Sequence, residues 1–192
     1  MFFKPFKAII CLNYREEDLE FIRRFRDGEG PAFDALVRKY QKKVYYFAFR
    51  LARNHQDADD LAQETFIRTY NSLGAFKGGS AFFTWLYRIT INLYINSYRK
   101  KIRQNQILAG ETEFTYQGLD ALSMVQDKEL GKKIGAAAAK LPPRQQVAFN
   151  LRYIEELTFE EVAESMGCSV GAAKASCFQA VRKMRGYLKS ER

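Results

Sequence analysis

The chain has one histidine, His55, and three cysteines, Cys11, Cys168 and Cys177, among 192 residues. A single imidazole nearly excludes histidine-based metal or acid–base chemistry. No two cysteines have the close spacing of a metal knuckle, and an odd, scattered count fits a reducing compartment. No stretch reaches the roughly 18 uncharged apolar residues of a membrane span. The opening MFFKPFKAIICLN has two lysines, a proline and a short apolar run, with neither a long h-region nor a small-residue cleavage site, and reads as an extension over 1–13. Strand signal is scarce too: alternation is short and rare, and apolar spacing near 3.6 dominates. These absences predict an all-α protein that is cytoplasmic, does not insert in a membrane, and carries neither metal nor cofactor.

What the chain has in excess is positive charge. Lysine and arginine number 31 against 22 acids, a formal +9. That balance favours polyanionic partners, nucleic acid first and acidic membrane surfaces second. The 47% hydrophobic content is enough for a core in each half.

The spacing predicts a first helix over 16–27, stopped by DGEGP, and a second in which Pro31 takes the first position. NHQ breaks it. DADDLAQETFIRTYNSLG follows as a third helix, with acids where the helix dipole favours them and Gly74 just past its end. After the loop AFKGGS comes a fourth helix, from Ser80 to Lys101. From Gln104 to Asp127 there is no lysine or arginine, but there are Glu111, Glu113, Asp120 and Asp127. This span reads as an acidic, flexible linker. An alanine-rich helix with Gly131 and Gly135 leads into a second unit beginning LPPRQQVAFNLRYIEE. The organisation is two helical domains, 14–103 and 128–192, tethered by 104–127. The first holds 17 basic and 11 acidic side chains and the second 12 and 7, so both are basic while the tether is not.

TFEEVAESMGCSVGAAKASCFQAVRKMRGYL has the pattern of a helix-turn-helix. Thr158 and Glu161 form a capping box, Gly167 falls at the turn, and Ser169 can cap the second helix. Ala173, Cys177, Ala180, Met184 and Leu188 make its buried stripe, and Cys168 and Cys177 read as small hydrophobes. Lys174, Ser176, Gln179, Arg182, Lys183 and Arg185 lie off the stripe. In a major groove, Gly171 to Ser176 would meet base edges, and Arg182, Lys183 and Arg185 phosphates.

The fourth helix has three chemistries at 100° per residue. Phe82, Trp85, Leu86, Ile89 and Leu93 share a core face. Arg88, Asn92 and Arg99 share a second. Tyr87, Tyr94 and Tyr98, with Phe83, share a third. Unpaired bases stack on such rings for about 1–3 kcal/mol each while cations, here RKKIR from Arg99 to Arg103, track the backbone. The competing reading packs the tyrosines on the first two helices. A duplex reader and a single-strand platform in one chain are what promoter opening requires.

With these segments on the page, the chain resembles the extracytoplasmic-function sigma factors of bacterial RNA polymerase. DADDLAQETFIRTYNSLGAFKGGSAFFTWLYRITIN is similar to their second conserved region, a four-helix domain, and LPPRQQVAFNLRYIEELTFEEVAESMGCSVGAAKASCFQAVRKMR to their fourth. The resemblance implies a non-enzymatic transcription-initiation factor for a stress or envelope response. Its partners would be core polymerase, promoter DNA both double-stranded and melted, and an anti-sigma factor. It implies a polymerase-docking set at Asp57, Asp60, Leu61, Gln63 and Glu64, with the Leu61 and Phe66 side chains turned inward. It matches Asn92 to a position that recognises a flipped base of the −10 element, and the loop Phe76 to Phe83 to the one enclosing that base. The full −10 set is Phe76, Lys77, Ser80, Phe83, Arg88, Asn92, Tyr98, Arg99 and Lys100. Lys174 matches a usual −35 contact, within a set of Ser169, Gly171, Ala172, Lys174, Ala175, Ser176, Gln179, Arg182 and Lys183. Ser176 stands where many relatives carry arginine, and Asn96 where many carry aspartate.

Two other readings make different demands. A stand-alone helix-turn-helix regulator would bind an operator without polymerase. A nucleic-acid enzyme would hold a metal on Asp57, Asp59, Asp60 and Glu64, and would lose activity on chelation. The resemblance also implies that the acidic linker threads a positive channel of polymerase. Replacing Glu111, Glu113, Asp120 and Asp127 by neutral residues is expected to reduce early transcript synthesis in purified initiation reactions; undiminished synthesis would contradict that role.

Overall fold

The computed structural model describes residues 16–107 and 128–190, and the extension and most of the acidic tether lie outside them. Eight α-helices are present among the described residues: α1 over 16–26, α2 Gly30–Ala52, α3 His55–Ser72, α4 Phe82–Ile107, α5 Lys128–Ala139, α6 Pro143–Phe149, α7 Phe159–Met166 and α8 Val170–Ser190. No strand occurs among those residues.

Local chemistry sets most boundaries. Pro31 lies in the first turn of α2, where its missing N–H breaks no helical bond. The break between α2 and α3 is shorter than NHQ. Arg53 turns left-handed at φ 65°, and Asn54 caps α3 by accepting from the Asp57 N–H at 2.7 Å, so His55 is already helical. Six residues past Lys101, α4 ends inside the span expected to be linker. Between α6 and α7 the backbone widens to a π-type turn at Asn150–Ile154.

Helices α1 to α4 enclose one core built from Ile22, Phe33, Leu36, Tyr40, Val44, Leu73, Phe76, Phe82 and Leu86. Helix α1 is fastened to α2 by buried Asp18, which accepts from Tyr40 Oη at 2.6 Å and Lys39 Nζ at 2.7 Å. Helices α5 and α8 share a smaller core of Ala137, Ala138, Leu141, Ala180 and Met184.

A further core joins the two groups. Phe47 and Leu51 of α2 and Tyr87, Ile91 and Tyr94 of α4 pack with Val147, Leu151, Leu157, Val162, Ala163 and Ala173. Tyr87 is 3% exposed and Tyr94 8%. The tyrosine face of α4 is therefore covered by the second unit. It is not an open stacking platform; Tyr87 does pack on α2, its ring 4.6 Å from that of Phe47, and the second unit packs over the same face. Helix α4 is buried along two faces, because Ile91 extends the tyrosine side into a second apolar stripe.

Polar bonds follow this seam. Arg50 pairs with Glu155, and the same carboxylate accepts from Tyr87 Oη at 2.7 Å. Tyr94 Oη donates to Gln146 Oε1 at 2.9 Å, and Gln146 Nε2 donates to the Arg50 carbonyl at 3.0 Å. Burial lowers the Arg50 pKa to about 10, which still leaves the guanidinium charged at neutral pH.

Two substitutions separate packing from capping. Phe47→Ala, in the joint core, is expected to cost about 3–5 kcal/mol. Thr158→Ala, which removes one capping bond from α7, is expected to cost about 1 kcal/mol. Urea unfolding of the full chain measures both, and equal losses would contradict the ranking.

Candidate nucleic-acid interface

The acidic start of α3 is partly committed within the molecule. Asp57 accepts from Asn54 Nδ2 and from Lys101 Nζ near the far end of α4. Burial pushes the Asp57 carboxyl upward, but the hydrogen bonds from Lys101 and Asn54 outweigh it and hold it below its usual range. Asp60 and Gln63 are exposed, and Glu64 pairs with Arg68 at 2.7 Å. Leu61 is half-buried against the joint core, and Phe66 packs on the first core. Asp60, Gln63 and Glu64 thus face outward together, while Asp57 ties α3 to α4.

Between α3 and α4 runs a groove of about 530 Å³. Asn92 lines it, with Asn71, Asn96, Arg68 and Glu64 around it and Ile89 and Leu93 as apolar lining. Three carboxamides and an arginine offer donors and acceptors to a flat heteroaromatic edge. Asn71 and Arg68 were not among the candidates in the sequence, because they lie beyond the acidic motif on α3 and only the crossing of α3 with α4 brings them to Asn92.

The loop before α4 is built differently from the expectation. Phe76 is 4% exposed, its ring 5.1 Å from that of Trp85 and 5.9 Å from that of Phe82. It is a core ring and presents no face to a base in this structure. Arg26 donates to its carbonyl and pins the loop from beneath. Phe83 is half-buried between two cores. Lys77 is exposed and Ser80 half-buried, as is Tyr98, whose ring is tilted at 6.2 Å from that of Tyr94. Arg88, Arg99 and Lys100 are exposed.

In the second unit, Thr158 Oγ1 accepts from the Glu161 N–H at 3.2 Å while Glu161 Oε2 accepts from the Thr158 N–H at 2.7 Å. Gly167 closes α7 at φ 61°, a conformation that strains side-chain-bearing residues. Ser169 Oγ accepts from the Ala172 N–H and caps α8. Ala173, Cys177, Ala180 and Met184 are buried beneath α8. Burial pushes the Cys177 thiol up, so it stays protonated at neutral pH, as packing requires.

The outer face of α8 presents Gly171, Ala172, Lys174, Ala175, Gln179, Arg182 and Lys183 to solvent, with Ser169 at its cap and Ser176 half-buried. Phe178 stands among them, 70% exposed. Its place one turn after Lys174 was visible in the sequence, but exposed phenylalanine has no charge signal to draw attention. The Phe159 ring lies between two cations, with the Arg152 guanidinium 4.8 Å and the Lys174 ammonium 5.6 Å from its centroid. Gln145 Nε2 donates to Gln179 Oε1 at 2.9 Å. Among the described residues there is no cluster of three potential metal ligands, and no helix is long and apolar enough to cross a membrane.

A helix-turn-helix with a basic outer face, joined to a bundle carrying an amide-lined groove, defines a class: a two-region, promoter-recognising protein of the sigma-70 type. Residues 36–104 match the sigma-70 region 2 family and residues 132–184 the sigma-70 region 4 family. Over 86% of its length the chain is 37% identical to the RNA polymerase sigma-H factor of Pseudomonas aeruginosa, covering 91% of that protein. It is 34% identical to the ECF RNA polymerase sigma-E factor of Haemophilus influenzae, over 85% of this chain and 90% of the other. In fold it is similar to the sigma factor RpoE solved with the anti-sigma factor NepR from Bartonella quintana, with a TM-score of 0.69, 23% identity, and 83% and 98% of the two chains covered. The chain belongs to the ECF RNA polymerase sigma factors. It is a sigma factor and not a stand-alone helix-turn-helix regulator.

The tie between α3 and α4 is testable apart from function. Lys101→Met is expected to raise the Asp57 titration midpoint toward the ordinary carboxylate value, followed by carbon-13 NMR. The pair is solvent-screened, so stability should fall by no more than about 1 kcal/mol. The depressed carboxylate stabilises the fold above its unfolded pKa, and that contribution disappears as pH falls through the folded value. An unmoved midpoint would contradict the assignment.

Proposed function

We propose that the chain directs core RNA polymerase to promoters in three contacts and performs no bond-making chemistry itself. Asp60, Gln63 and Glu64 on α3 dock on polymerase, with Asp57 holding α3 in place and Leu61 beneath. Asn92 and the carboxamides beside it take an unpaired −10 base, while Lys77, Ser80, Arg88, Arg99 and Lys100 meet the strand around it. Helix α8 enters −35 duplex DNA, with Lys174, Ala175 and Gln179 toward base edges and Arg182 and Lys183 toward phosphates. Phe178 adds an apolar contact suited to a thymine methyl. Phe76 is left out of the contact set, since its ring is packed in the core.

The observation that carries this reading is the groove beside Asn92, because amides on two crossing helices suit a flat base edge and serve no packing role there. Captured bases pull the melting equilibrium toward the open form. The working units are residues 14–103 and 128–192, acting in the cytoplasm in a stress or envelope response. An anti-sigma factor is the expected antagonist, supported by the Bartonella quintana sigma factor of similar fold, which was solved in complex with one.

Asn92→Ala is expected to weaken promoter opening roughly 5- to 150-fold, the equivalent of losing one good amide–base contact, while sparing polymerase binding. Lys174→Ala should instead weaken −35 duplex engagement. Transcription and permanganate footprinting with purified core polymerase measure these effects; opening unaffected by Asn92→Ala would overturn the pocket assignment.

A further inference from the structure

We propose that Gln145, on α6, is a positioning residue that sets which end of the Gln179 amide meets −35 DNA, so that α8 selects a base with an acceptor-only edge, guanine or thymine, where Gln179 reaches. That preference rests on the promoter-reading function above; Gln145 itself lies outside the contact sets given there.

A glutamine side chain carries an accepting oxygen and a donating N–H2 group on one flat amide. Unrestrained in a major groove, it pairs with adenine through both ends, donating to N7 and accepting from N6. Gln179 is restrained. Gln145 Nε2 donates to Gln179 Oε1 at 2.9 Å. The Gln179 oxygen is thereby turned toward α6, and its N–H2 end is left for DNA. Donors suit guanine, which offers N7 and O6, and thymine, which offers O4. Cytosine presents a donor of its own at N4, so the two ends repel. On adenine only one of the two bonds survives.

The direction of the Gln145 amide follows from its surroundings. Gln145 is half-buried, and its Oε1 is enclosed without a hydrogen-bond partner among the described residues. Turned over, the amide would place two N–H donors in that enclosed site, and an unmet buried N–H is tolerated less often than an unmet carbonyl. The nitrogen end therefore faces Gln179. An apolar side chain of similar size would fill the same place with no stranded oxygen, so the bond to Gln179 is what the amide adds. The backbones that carry the pair are fixed beneath it: Cys177 Sγ donates to the Ala148 carbonyl at 3.5 Å, and Cys177, Ala148 and Ala180 are all buried. Ala175 and Ala172, about one and two turns before Gln179 on the same exposed strip of α8, have no hydrogen-bonding side chain. Direct polar readout on that strip falls to Gln179.

Selection from promoters randomised across the −35 element, with holoenzyme assembled from core polymerase and the full chain, tests this. The native chain should enrich guanine or thymine at one position, and Gln179→Ala should level that position. Gln145→Leu frees the Gln179 oxygen and should raise adenine there at least fivefold relative to guanine and thymine, with the other positions unchanged. Gln145→Glu accepts from Gln179 Nε2, turns the oxygen outward and should bring cytosine or adenine forward at that position; it decides by the same base ratios if Gln145→Leu loses helix content by circular dichroism. A merely structural role for Gln145 predicts weaker binding with unmoved base ratios, and that result would overturn the proposal. A pattern indifferent to Gln179→Ala, or a native preference for adenine or cytosine at the position that Gln179 controls, would overturn it as well. Absence of any −35 selectivity in the native holoenzyme would count against the promoter-reading function itself, whereas selectivity that ignores residue 145 removes the positioning role alone.

Discussion

The packing of Glu155 against Arg50 and the Tyr87 hydroxyl is the contact on which the shape of the molecule depends. The first unit has a large apolar core of its own, whereas the second keeps only a small one and buries Val147, Leu151 and Val162 in the joint core. What joins them is a third core rimmed by specific polar bonds. Apolar contact alone would tolerate sliding. A carboxylate that must meet both a guanidinium and a phenol fixes one register, because every displaced arrangement strands a charge away from water.

That constraint changes the meaning of α4. Its rings give it enough apolar surface to serve two neighbours, and both are present: Phe82 and Leu86 face the first core while Tyr87, Ile91 and Tyr94 face the second unit. The side left to solvent carries Arg88, Asn92 and Asn96. The groove beside α3 is thus the surface that remains after both apolar demands are met, and its carboxamides are exposed because packing has no use for them. On α8 the same division holds on a smaller scale, with alanines and Cys177 inward and cations, Gln179 and Phe178 outward.

Much of this was legible in the residues. The Thr158 and Glu161 capping box, the glycine turn at Gly167, the Ser169 cap and the alanine stripe of α8 are local, since each depends on residues within a turn or two. The Asn54 cap was local as well, yet NHQ looked like a plain break, because asparagine marks helix starts and chain turns alike. The loop ring Phe76 was misread for a different reason. An aromatic beside glycines suits either a mobile base clamp or an anchor, and only the approach of Phe82 and Trp85 settles it as an anchor.

By itself the sequence determined helices, caps, the basic outer face of α8 and the sigma-factor class. Periodicity, capping and motif order are short-range information carried by neighbouring residues. Only the tertiary structure decided that Tyr87 and Tyr94 face the second unit, that Asn71 joins Asn92 and Asn96, and that Asp57 is held by Lys101. Those pairings link residues as much as 68 positions apart, and a side chain's periodicity says which face it occupies but not what will cover that face.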